Sequence, residues 1–326
     1  MDRDQHFRSN FLHQLPQCQN GEGRCDLGLA QVLGSVEPRD PRQQAKLEII
    51  EQPRTGARLK IGIEEQFSFI DSLRYMMGKR RHTMTDLLYQ TDSNIREFEA
   101  MVVTADPETN AVELNRTAFF PGGGGQPHDL GWLAVLGQDT PVTRVFKQDD
   151  RIWHVLESKL PAEGSVVLGR LDWARRYALM RTHTALHILC GVVWRDYGAQ
   201  VTGGNMDPLE GRMDFEFQTM RQELVTEIET RVNREVEAAR PIRVAILPRQ
   251  EAFGIPDLIR TKINLLPEGI RAVRIVEIVG LDLQADGGTH VASTQEVGRM
   301  RVADYKSKGK INKRIYISLE DRAIDA

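Results

Sequence analysis

The chain is expected to be an α+β protein in which a small antiparallel β-barrel precedes an antiparallel sheet covered by helices. Three observations predict this class. Between residues 84 and 170, short strand-like apolar runs are separated by Gly, Asp and Pro, the pattern of a small barrel or meander. Two longer segments beyond residue 170 carry apolar residues at helical spacing. Strand-like runs lie between and after those helices, which places helices on one face of a sheet.

In chain order, residues 1–83 mix Gln, Gly, Pro and Arg without sustained periodicity, and they are expected to be disordered or a non-native extension. Met76, Met77 and Met84 are alternative starts. "IREFEAMVVTADPETNAVELNRTAFF", from Ile95, reads as two strands joined by the turn-forming "ADPETN". "GWLAVLG", "TRVFKQ", "RIWHVLE" and "GSVVLGRLDW" continue the barrel to residue 170. From 171 to 326 a second domain is expected, opening with a helix from about Ala174 to Tyr197 that Gly198 stops. A second helix sets Leu224, Ile228, Val232 and Val236 on one stripe before Pro241. "GRMDFEF", "IRVAILP", "IRAVRIVEIVG" and "RIYISLE" supply the strands.

Composition excludes some classes. No window approaches the roughly 18 apolar residues of a membrane span, and "MDRDQHFRSNF" lacks a signal-peptide core, so a cytoplasmic protein without membrane contact is expected. Three irregularly placed cysteines, Cys18, Cys25 and Cys190, form no disulfide framework. A net charge of -3 gives no global attraction to nucleic acid, so a polyanionic partner requires a local basic patch. No long helical tail suggests oligomerisation, and a monomer is expected.

The chemistry-bearing residues fall in three places. His183 and His187 are spaced i, i+4 on the first helix, so both imidazoles leave one face about a turn apart, a geometry that grips one metal ion or serves as a hydrogen-bonded polar face. Asp286 and His290 lie in "DGGTH" after a strand-like run, where Gly287 and Gly288 allow a tight bend; the plainer reading is a polar turn. Cys190 completes an i, i+4, i+7 row with the two histidines. Seven residues advance a helix by roughly 10.5 Å, too far for one ion to take all three, so Cys190 is assigned to the core. Third, "RTAFFPGGGGQPHDLGW" holds Gly122, Gly123, Gly124 and Gly125 followed by Gln126. No Lys-Ser/Thr and no helix follow, so it is not a P-loop; it is a flexible barrel loop or a backbone able to approach a ligand.

Taken together, "LNRTAFFPGGGGQPHDLG", "GRLDWARRYALMRTHTALH", "GRMDFEF", "VRIVEIVGLDLQADGGTHVASTQEVG" and "KSKGKINKRI", in this order from about Met84 to Leu319, resemble the AlaX family. These are trans-editing relatives of the editing domain of alanyl-tRNA synthetase, and the Gly-rich barrel ahead of the helix resembles the medium-length form. The resemblance implies zinc-dependent hydrolysis of the ester joining serine or glycine to alanine-specific tRNA. An alanine pocket cannot exclude glycine by size and rejects an added hydroxyl weakly, so a second hydrolytic site is needed. The family's ligands map onto His183, His187 and His290, with Asp286 where cysteine is usual. A carboxylate is an acceptable zinc donor, so Asp286 is either the fourth ligand or stands behind three histidines and a water. Gln126 and the glycine run are then expected to position the aminoacylated 3′ end, and Thr117 to read the hydroxyl of serine. The resemblance leaves open whether zinc does chemistry or only binds the amino group. Lys306, Lys308, Lys310, Lys313 and Arg314 are the expected phosphate contacts, joined by Arg181, Arg175 and Arg176; alone, such a run reads as a solvated loop. Two other readings are a non-catalytic tRNA-binding relative with an altered metal site and a metal-dependent hydrolase of small esters or amides.

Overall fold

The alternation in "EFEAMVV" sends Phe98, Ala100 and Val102 inward and leaves Glu97, Glu99 and Met101 outside. This is seen in a computed structural model that describes residues 84–135, 137–260 and 269–321. The extension expected for 1–83 lies outside the described residues. The first strands are β1 (Asp86–Leu87), β2 (Glu97–Asp106), β3 (Ala111–Leu114), β4 (Arg116–Thr117), β5 (Gly131–Val135), β6 (Gln138–Gln148), β7 (Arg151–Leu156) and β8 (Val166–Leu171). Six of them close a barrel in the order β2-β3-β7-β6-β5-β8, and β1 pairs in parallel with β4. The expected hairpin is β2 and β3, with Val102 opposite Leu114 and Asp106 opposite Ala111. Phe98, Val102, Leu114, Phe119, Leu133 and Ile152 form part of the barrel core.

Helix α1 (Trp173–Tyr197) follows directly, its N-cap Asp172 accepting the Arg175 N–H and Gly198 closing its end in a left-handed conformation. Next come β9 (Val201–Asp207), β10 (Glu210–Glu216), α2 (Gln222–Glu237), β11 (Ile242–Pro248), the single turn α3 (Arg249–Ala252), β12 (Ala272–Ile278), β13 (Asp282–Ala285), β14 (Met300–Ser307) and β15 (Asn312–Leu319). The helix-covered sheet is two sheets, ordered β14-β15-β10-β9 and β11-β12-β13. Both are antiparallel. Helix α1 packs on β9, β10 and β13, and α2 packs on β14. Ile228, Val232 and Val236 of the expected stripe meet Leu189, Val193 and Ile317 in a common core that also holds Cys190. All described residues belong to one compact unit, and no described helix is long and apolar enough to cross a membrane.

One buried ion pair ties the barrel to α1. Arg176, fully buried, donates to the Asp129 carboxylate after β4 and to the Ser93 and Ala118 carbonyls. Its expected role as a phosphate contact is therefore replaced by a clamp.

Candidate metal centre

Helix α1 and the loop after β13 bring His183, His187, Asp286 and His290 together, with potential ligand atoms all within 4.8 Å of one another. The imidazole centroids lie 4.3 Å (His183–His290), 4.7 Å (His187–His290) and 5.0 Å (His183–His187) apart. The i, i+4 spacing puts two rings on one helix face, and the loop brings the third across from them.

Each imidazole is held from behind. His183 Nδ1 lies 3.0 Å from Gln126 Oε1, His187 Nδ1 3.1 Å from Asp282 Oδ2, and His290 Nδ1 3.1 Å from Thr184 Oγ1. Gln126 Oε1 also accepts the Thr289 N–H at 3.0 Å, and its Nε2 donates to Thr289 Oγ1 at 2.8 Å, which assigns the amide orientation. An amide oxygen and a carboxylate only accept, so His183 and His187 carry their protons on Nδ1, and the Thr184 hydroxyl is able to accept from the third. All three Nε2 atoms are left facing the centre. His183 Nε2 is 3.6 Å from Asp286 Oδ1, and His290 Nε2 is 3.0 Å from Asp286 Oδ2.

Electrostatics favour the neutral form at His183 and His290 and the protonated form at His187. Burial pulls His183 well below the ordinary histidine range and takes His290 down to about 4. Burial also lowers His187, but the hydrogen bond to Asp282 and the nearby Asp286 charge outweigh it and raise this ring. Burial would raise the Asp286 carboxyl, yet interaction with His183 and the hydrogen bond from His290 hold it well below the usual carboxylate range. Imidazole donors beside an ionised carboxylate fit a divalent cation such as zinc, whose binding would release the His187 Nε2 proton, and Asp282 behind His187 is the kind of outer carboxylate that metal-bound histidines use.

The structure revises the roles of several expected residues. Gly123 and Gln126 exchange N–H···O bonds at 3.0 Å, with Gly124 at φ 60° and Gly125 at φ 92° between them. This is the two-residue type I′ turn that requires positive φ at both centres, which explains the glycines. Gly125 O accepts the Met206 N–H of β9 at 3.1 Å, so the run fastens the barrel to the sheet and delivers Gln126 behind His183. Gln126 is 2% exposed and positions the His183 ring. Thr117, expected to read a substrate hydroxyl, is fully buried beside His154, with Oγ1 2.8 Å from Nε2. Gly288 is needed for contact more than for bending: it lacks a positive φ, and a Cβ there would lie 2.3 Å from His183 Cε1 and 2.6 Å from Gln126 Oε1.

The basic residues divide in the same way. Arg181 is 2% exposed, donating to the Val297 and Glu320 carbonyls. Lys313 is 5% exposed and caps the β14–β15 turn through Gly309 O and Lys310 O. Arg314 forms a fork with Asp214, and Arg175, partly buried, donates to His128 O at 3.3 Å. Lys306 is exposed and paired with Asp304, while Lys308 and Lys310 are exposed at the turn.

Asp282, Thr184 and Arg274 are site residues that the sequence reading missed. Asp282, Gln284 and Asp286 alternate along β13 and past its end, and this period of two, polar on a face turned to α1, was the available signal for Asp282. Thr184 sits beside His183 in sequence but faces His290, which spacing alone does not reveal.

Barrel, helix-covered sheets and a three-histidine, one-aspartate cluster define a class of α+β protein with a candidate metal centre on the helix and the sheet loop. Residues 273–316, which carry Asp286 and His290, match the family described as the threonyl and alanyl tRNA synthetase second additional domain. The alanyl-tRNA editing protein AlaX-M of Saccharolobus solfataricus is 39% identical over 246 residues, 73% of this chain and 100% of the relative. That of Methanosarcina acetivorans is 34% identical over 249 residues, again 73% and 100%. The alanine–tRNA ligase of Ignicoccus hospitalis is 37% identical over 224 residues, 67% of this chain and 24% of the ligase. The chain belongs to the AlaX family of alanyl-tRNA editing proteins, in its medium-length form.

Proposed function

We propose that this protein is a zinc-dependent deacylase that removes serine or glycine, in trans, from mischarged alanine-specific tRNA. The observation that carries the reading is the convergence of three imidazole Nε2 atoms and the Asp286 carboxylate, each imidazole fixed by an internal partner. His183, His187 and His290, with Asp286, would hold the ion. A bound zinc supplies Lewis acidity toward an ester carbonyl or water near neutral pH.

The chain's own residues do the orienting. Gln126, Asp282 and Thr184 hold the three rings through Nδ1, so the Nε2 atoms face the centre before an ion binds. The type I′ turn keeps Gln126 in place, and its exposed residues Gly123 and Gly124 leave room for a nucleotide end to approach. Thr117 is left out of the proposal because its hydroxyl is sealed in the barrel. The tRNA-contact set narrows to Lys306, Lys308, Lys310 and Arg314 on the β14–β15 hairpin, where Lys308 and Lys310 are exposed and Lys306 and Arg314 are paired with Asp304 and Asp214. Such contacts make binding weaken as salt rises.

Ser-tRNA and Gly-tRNA charged on alanine-specific tRNA are the test substrates. Deacylation by the full chain, loss on chelation with the fold intact, and recovery on zinc addition are expected. Tight tRNA binding without ester cleavage would replace this reading with a non-catalytic tRNA binder, and cleavage of small esters in place of the tRNA substrates would point to a metabolite hydrolase.

A further inference from the structure

A fixed cation stands beside the carboxylate of the metal centre. Arg274, on β12, is 8% exposed; Nη1 donates to the Asp286 carbonyl at 2.9 Å and Nε to the Gln90 carbonyl at 2.9 Å. The same Nη1 lies 3.6 Å from Asp286 Oδ2, while Nη2 is buried without a hydrogen-bond partner. A buried guanidinium with an orphan N–H is unfavourable, and a divalent cation nearby would add repulsion. Some interaction at the centre has to offset both, and the acidic group within ion-pair distance is Asp286.

The two oxygens of Asp286 differ in environment. Oδ2 accepts the Gly288 N–H at 2.8 Å and faces Arg274, besides lying 3.0 Å from His290 Nε2. Oδ1 lies toward His183 Nε2, at 3.6 Å. A carboxylate that ligates through one oxygen parks the other, whereas a thiolate has a single donor atom and needs no such sorting.

We propose that Arg274 is a positioning residue that lets a carboxylate serve in this centre: it engages Oδ2 and the backbone of Asp286, so that Oδ1 is the oxygen presented to the ion. This rests on the reading that the cluster holds a divalent cation, and it adds a determinant of which ligand chemistry the loop accepts. The role predicts energetic coupling between residues 274 and 286 that is seen in metal affinity and is separable from folding.

The experiment is a double-mutant cycle on the full chain, with Zn2+ titrated calorimetrically and each metal-free protein melted as a folding control. Arg274→Met is expected to weaken Zn2+ binding about 10–100-fold in the Asp286 protein, in the range of outer-partner losses, and by less than about threefold in the Asp286→Cys background. Loss of the two carbonyl contacts should lower metal-free stability in both backgrounds, so the metal-free melts are subtracted before the affinities are compared. Arg274→Lys, which keeps charge without the fork, should fall between; should the methionine variant not fold, the lysine variant is read in both backgrounds. Equal losses of affinity in the two backgrounds, or none, overturn the role of Arg274 alone. No Zn2+ binding by the unsubstituted chain overturns the metal reading beneath it.

Discussion

His154 in the barrel and the three histidines of the metal centre are equally buried yet chemically opposite. His154 is fully buried, with Nδ1 3.2 Å from the Val112 carbonyl and Nε2 2.8 Å from the Thr117 hydroxyl, so both ring nitrogens are used. His183, His187 and His290 each use Nδ1 and turn Nε2 toward one another and Asp286. A buried ring with two satisfied nitrogens belongs to the scaffold; three whose Nε2 atoms face a common point form a candidate receptor for a cation. Partner accounting separates the two regions where burial does not.

The contrast breaks most completely if ligand loss leaves metal binding intact. His183→Ala is expected to abolish stoichiometric Zn2+ binding and deacylation, whereas His154→Phe retains both; equilibrium dialysis with elemental analysis reads the difference. Next in size, Asp282→Asn removes the charge behind His187 while keeping an acceptor, and should weaken Zn2+ binding about 10–100-fold, measured by competition with a chromophoric chelator. Thr117→Val strands the His154 nitrogen and should cost roughly 1–3 kcal/mol in urea unfolding with Zn2+ affinity unchanged. A matching fall in affinity would merge the two regions.

The smallest effect is a pH signature of the barrel. Burial takes His154 from 6.5 down to about 4, so the folded state resists its protonation. Its contribution is full above the unfolded value and is lost as pH falls from 6.5 toward 4. By about pH 5.5 the loss is on the order of 1 kcal/mol. In metal-free protein, His154→Phe should flatten that part of the stability profile, as followed by chemical denaturation.

Much of the architecture was legible because pattern and structure share a period. The alternation of "EFEAMVV" became β2, and Gly198 ended α1 where the spacing had placed it. The four residues that converge were legible from two short motifs, since both are local in sequence. What stayed hidden depends on tertiary neighbours. Arg181 and Lys313 read as surface charge, yet one lies within α1 against two carbonyls and the other occupies an inward position of β15, where Ile315, Ile317 and Leu319 share its face. Gln126 reads as a substrate contact because nothing in "GGGGQP" announces a ring on its far side. Arg274 and Thr184 depend on which segments meet across the fold.

Because the barrel turn at Gly124 and Gly125 presents the amide that grips His183, binding of an ion at the centre would be linked to docking of the barrel. Metal uptake should shield the Gly-rich segment from protease, and releasing that segment should loosen the ion; neither half of the chain could be transplanted without carrying the other's coordination chemistry with it.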